Sequence, residues 1–170
     1  MQEPELTNIE VVALIAPSQE EFVEGAAARR AWLSVLAKAP AAAVEAQFSA
    51  LPPLERTVLR PPETGMVMVR GRTGGSGDAF NLGEMTVTRC AIRLASGETG
   101  IGYVAGRDRR HAEIAATLDA MMQSPALRSV AEPVIEALAA QGEARKAEAA
   151  RKAAATKVEF FTMVTGRTRS

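Results

Sequence analysis

The segment Arg70–Asp78 reads RGRTGGSGD and joins two arginines, alternating along the chain, to three closely spaced glycines, Gly74, Gly75 and Gly77. Glycine permits backbone approach and left-handed dihedrals that a Cβ would block. Successive N–H groups in such a loop can line an anion-binding nest. Arg70 and Arg72 arrive on the preceding extended run, where alternation puts both on one face. Clustered like charges on a sheet face repel, so a phosphate or an acidic patch on a partner would relieve them. The other reading is a hairpin turn with solvated arginines. The loop is not a P-loop, because no Gly-Lys-Ser/Thr follows, and not a dinucleotide fingerprint, because a strand rather than a helix follows it.

A second cluster, GRDRRHAE at Gly106–Glu113, places Arg107, Arg109, Arg110 and His111 at the expected start of a helix. Arginines there oppose the helix dipole, and a held anion would offset that. His111, in the first turn, is expected to stay neutral and to lie near a buried stripe. A structural role for it competes with a ligand-contacting one. His111 and Glu113 spell H-x-E, yet the P-C-x-x-C partner of the zinc deaminases is missing. The chain holds one cysteine and one histidine, which excludes an intrachain disulfide and any multi-Cys or multi-His metal cage. Cys90 sits mid-strand on a face with Ile92 and Leu94, as a small buried hydrophobe rather than a nucleophile. No catalytic residue and no metal ligand is assigned.

These residues need elements to place them. Ser18 to Lys38 has helical periodicity, with Ser18 and Glu21 spaced as a capping box. A short helix follows over Ala41 to Ala50, between Pro40 and Pro52. The runs 54–60, 66–72, 84–94 and 101–105 are rich in Val, Met, Thr and Ile and are separated by glycine turns, which predicts an antiparallel meander of about four strands. In the third run Thr86, Thr88, Cys90, Ile92 and Leu94 share one face, and Val87, Arg89, Ala91 and Arg93 the other. Asp108 is the predicted N-cap of a helix carrying Ile114, Leu118, Met121 and Met122. A last helical region, Leu127 to Lys157, is expected to break at Pro133 and Gly142. Its end, EARKAEAARKAAATK, has strong helix propensity but only alanine to bury. Val158, Phe160, Phe161, Met163 and Val164 follow it as an apolar tail that needs its own sheet or a partner's groove, and they are the candidate partner-binding residues. The fold class is therefore α+β: an antiparallel sheet flanked by N-terminal helices and a C-terminal helical region with an extended apolar tail.

At 170 residues the chain is about one domain long, and 20 basic residues balance 20 acidic ones. A uniformly basic nucleic-acid binder is excluded. The longest early apolar run, residues 11–16, is too short to span a membrane, and no basic stretch precedes it; a cytoplasmic protein is expected. The charge is uneven: residues 1–28 hold six Glu and no Lys or Arg, whereas residues 60–110 hold eight Arg against five acids. The acidic start is set apart as an N-terminal extension, residues 1–25, before a single domain over 26–170 in which 158–170 is a docking tail.

Four blocks in order, RAWLSVLAKA (Arg30 to Ala39), ETGMVMVRGRTGGSGDAFNLGEMTVTRCAIRL (Glu63 to Leu94), GYVAGRDRRHAE (Gly102 to Glu113) and VEFFTMVTG (Val158 to Gly166), resemble the PhnG family, a subunit of the bacterial carbon–phosphorus lyase core complex. The resemblance implies a cytoplasmic hetero-oligomer with the PhnH, PhnI, PhnJ and PhnL subunits. It implies a share in α-D-ribose 1-methylphosphonate 5-triphosphate synthase, in which a phosphonate displaces adenine from ATP. The iron–sulfur cluster and S-adenosylmethionine of the later bond cleavage belong to PhnJ, so this chain alone is expected to bind no cofactor and to be inactive alone. The candidate anion-holding residues are Arg70, Arg72, Gly74, Gly75, Gly77, Arg107 and His111. A free-standing phosphate- or nucleotide-binding module is the alternative.

Overall fold

A computed structural model describes residues 19–72 and 77–156. Gly74, Gly75 and the apolar tail Val158, Phe160, Phe161, Met163 and Val164 lie outside them, as does Ser18 of the expected capping box. The elements run α1 (Gln19–Lys38), α2 (Ala41–Ser49), β1 (Arg56–Arg72), β2 (Ala79–Leu94), β3 (Thr99–Ala105), α3 (Arg109–Gln123) and α4 (Arg128–Ala155). The architecture is α+β, as the periodicities indicate. The sheet has three antiparallel strands in the order β1-β2-β3 rather than four.

The missing strand boundary has a local cause. The composition of residues 54–60 and 66–72 reads as two strands, with Pro61 and Pro62 lying between them. Instead β1 runs through, with register shifts between Val58 and Arg60 and between Arg60 and Glu63. Proline cannot donate to a ladder, and a bulge on an edge strand accommodates it without ending the pairing. β1 is such an edge strand. The β2–β3 turn uses Gly97 at φ 109°, with Gly97 N–H donating to the Leu94 carbonyl over 2.9 Å. That positive φ is the reason for glycine there.

The helices pack on one face of the sheet. Thr88, Cys90, Ile92 and Leu94 of β2 point into the core, as does Val104 of β3. Against them lies α3, whose Ile114, Leu118, Met121 and Met122 are all buried. The helix comes so close to β3 that a Cβ at Gly100 would collide with the Ala116 carbonyl oxygen, and one at Gly102 with that of Ala112. With few aromatics in the chain, this close approach lets alanines form much of the core. Trp32 and Leu36 of α1 and Val44 of α2 complete it.

α4 is a single helix of 28 residues with Pro133 inside it, so the expected interruptions at Pro133 and Gly142 do not occur. Pro133 removes one N–H, which leaves the Ser129 carbonyl without its helical donor. Ser129 is exposed, so water can serve that carbonyl. Ala131, Val134, Ile135 and Leu138 bury the first half of the helix. From Glu143 to Ala155 every residue is exposed, a projection of about 20 Å at 1.5 Å per residue.

Candidate functional site

The arginines singled out in the sequence fall in two places. Arg70 and Arg72 lie near the end of the β1–β2 hairpin. Arg70 Nη2 donates to the Ala79 carbonyl over 3.1 Å and Arg72 Nη1 to the Gly77 carbonyl over 3.0 Å. Both guanidiniums are exposed and fold back over the opposite strand. Each has five N–H donors, so these bonds leave others free for an anion.

Arg107 and Arg109 lie at the start of α3. With Thr64, Gly65, Met66 and Thr86 they line an open cavity between the helix terminus and the hairpin. Neither makes an ion pair among the described residues. Two hydrogen bonds set the floor: Thr64 and Thr88 share a hydroxyl contact of 3.1 Å, and Thr88 Oγ1 donates to the Gly106 carbonyl over 2.8 Å. Gly106, at φ 91°, turns the chain from β3 into the helix, and its N–H holds the Thr86 carbonyl over 2.8 Å. Asp108 then caps α3, accepting from the His111 N–H over 2.9 Å, as predicted. Strand alternation puts Arg70 and Arg72 on the same hairpin face as Thr64 and Met66, but they do not line this cavity.

His111 is turned away from the cavity. Its ring is buried, and Nε2 lies 2.9 Å from the Leu36 carbonyl oxygen in the last turn of α1. That carbonyl is one of the four a helix end leaves unpaired. The contact assigns the proton to Nε2 and makes His111 a C-terminal cap for α1 across the fold. Arg110, beside it, pairs with Glu45 over 3.1 Å and lies over the Phe48 ring, tying α3 to α2.

Cys90 is buried and contacts the Arg60 carbonyl oxygen over 3.4 Å. Burial, and then the Glu113 carboxylate, push its thiol up from the ordinary value of 9.0. A protonated, enclosed thiol is a poor nucleophile, in keeping with the packing role read from its strand face.

Sequence reasoning missed the most highly connected polar residue. Asp119 on α3 is fully buried. Its carboxylate accepts from Arg29 Nε at 3.2 Å and Nη2 at 2.7 Å, from Trp32 Nε1 at 2.8 Å, and from the Ile101 backbone N–H at 2.9 Å. It joins α1, β3 and α3. The one available signal was an acid beside Leu118 on the helix that carries the expected buried stripe. All its donors are already committed within the fold, so this is structural machinery rather than a reaction centre.

Comparison with known proteins places the whole chain rather than any one surface. The family model described as "Phosphonate metabolism protein PhnG" matches residues 27–166. The α-D-ribose 1-methylphosphonate 5-triphosphate synthase subunit PhnG of Rhizobium meliloti (strain 1021) is 45% identical over 143 residues, covering 84% of this chain and 92% of that protein.

Proposed function

Because the chain belongs to the PhnG family, we propose that it works as a subunit of an α-D-ribose 1-methylphosphonate 5-triphosphate synthase, holding anionic groups rather than carrying the bond-making residue. The 45% identity to a synthase subunit over most of both chains is the observation that carries this reading. The partners would be PhnH, PhnI and PhnL in the synthase and PhnJ in the subsequent cleavage, in the cytoplasm. No described helix is long and apolar enough to cross a membrane.

The chemistry requires little more of this chain. Displacing adenine from C1′ of ATP by a phosphonate builds positive charge on the ribose, and the reacting groups must be held while it forms. Preorganised cations serve that purpose best where partner subunits exclude water. Arg107, with Arg109 and the hydroxyls of Thr64 and Thr86, would be one such place, and Arg70 and Arg72 with Gly77 a second. His111 would support the first by fixing the α3 terminus against α1. Any cofactor of the wider pathway would sit in another subunit.

The assembled enzyme tests this. Arg107→Ala with Arg109→Ala, and separately Arg70→Ala with Arg72→Ala, should each preserve assembly. At least one pair should raise KM for ATP or methylphosphonate, or lower kcat, by tenfold or more. Normal turnover in both would end the anion-holding proposal. Loss of assembly in both would mean that the arginines pair with acids on a partner instead.

A further inference from the structure

The helices cover one face of the sheet; on the opposite face Val87 is buried, but the large apolar side chains around it are exposed. Register puts Phe80, Met85, Ile101 and Tyr103 on that opposite face, and Leu82, at the register shift between Val69 and Arg70, joins them beside Gly71. Their exposures, in that order, are 45%, 43%, 43%, 48% and 65%. Together they leave on the order of 500 Å² of side chain exposed, taking roughly 200 Å² for each large side chain. An ordinary monomer's largest apolar patch is about 300–600 Å² and often functional; a stable interface buries roughly 800 Å² per partner. This face alone can therefore supply most of an interface.

The need for a cover is strongest beyond the body of the fold. β3 pairs β2 only from Val87 to Arg93. Met66–Arg72 and Ala79–Met85 thus continue as a two-stranded ribbon about 23 Å long. Such a ribbon is marginal by itself in water. Its edges are also poorly protected, since Thr64–Val69 contains neither charge nor proline to discourage pairing.

Charge selects the occupant. Arg93 and Arg89 project from the same face. Arg89 shares the exposed Glu63 at 3.4 Å, while Arg93 makes no ion pair among the described residues. A second copy docked through this face by a two-fold axis would bring like charges together. We infer that the helix-free sheet face, from Phe80 to Tyr103, is the docking surface for another synthase subunit that presents an apolar patch bordered by carboxylates opposite Arg93. This rests on the functional reading above.

The test uses the full chain co-expressed with the other synthase subunits, wild type beside Leu82→Glu with Tyr103→Glu, followed by native mass spectrometry. The variant should be lost from the complex, while the isolated variant keeps the helical circular dichroism and melting temperature of the wild type. Arg93→Glu should weaken assembly at least tenfold, and Arg93→Lys should restore it. A complex of normal stoichiometry with the double variant overturns the inference. So does a wild-type homodimer that the double variant dissolves, which would make a second copy the occupant. A lowered melting temperature of the isolated monomeric variant also overturns it, because residues 158–164 of the same chain would then be the cover. If the wild-type chain itself fails to assemble, it is the proposed function that falls.

Discussion

Replacing Asp119 by alanine should destabilise this protein more than any surface change, and the structure lets the loss be worked through. Two of the donors to its carboxylate are enclosed: Trp32 Nε1 at 2.8 Å and the Ile101 N–H at 2.9 Å. Alanine leaves both without an acceptor, and an unpaired buried donor costs about 1–3 kcal/mol. The third donor, Arg29, has a side chain 34% exposed. Water can reach the freed guanidinium, so its share is held to about 1 kcal/mol or less. The total is about 4 kcal/mol, a large part of the 5–15 kcal/mol that typical domains possess. Urea unfolding followed by circular dichroism at pH 7 reads this directly. With a slope of about 2 kcal/mol per molar, the midpoint should fall by roughly 2 M. Asp119→Asn keeps one acceptor oxygen but turns an amide N–H₂ toward the other donors, so it should lose about half as much. A midpoint for Asp119→Ala within 0.5 M of wild type would refute the claim that this carboxylate joins α1 and β3 to α3.

Two further outcomes are expected. Gly102→Ala, whose Cβ meets the Ala112 carbonyl oxygen on a helix with no room to retreat, should cost about 3 kcal/mol or prevent folding, whereas Gly83→Ala, which meets nothing within 4 Å, should shift the urea midpoint little. Cys90 should resist iodoacetamide at pH 8 and react quickly in urea, since burial raises its thiol above 9.0; the folded state favours the neutral thiol, so its contribution is complete below 9.0 and fades as pH rises through the higher folded value. Fast alkylation of the native protein would show that the thiol is not enclosed.

Much of the local structure was legible because its causes are local. Asp108 lies where a helix needs a side-chain acceptor, and it caps α3. Alternation put Cys90, Ile92 and Leu94 on one strand face, and all three are buried. Where two local signals competed, the reading failed. Residues 54–60 and 66–72 looked like two strands, and Pro133 like a helix break, but the edge strand takes Pro61 and Pro62 in a register shift and Pro133 lies where solvent can replace the lost hydrogen bond. Tertiary packing on either side was enough to carry the element through.

The blocks from Arg30 to Gly166 also identified the family, since a run of distinctive segments in order needs no knowledge of contacts. The sites are different. A sequence shows that Arg107 and Arg109 begin a helix, but not that Thr64 and Thr86 meet them across a hairpin. His111 could be read as a ligand until its ring is found against the Leu36 carbonyl, 75 residues away. Asp119 draws Arg29 from 90 residues away and Trp32 from 87. Side-chain type and spacing therefore determined the α+β class and most of the elements, and named the basic groups a site could draw on. Which of those groups are used up in holding the fold, and which sheet face the helices cover, was decided only when helix packing brought distant donors and acceptors within about 3 Å of one another.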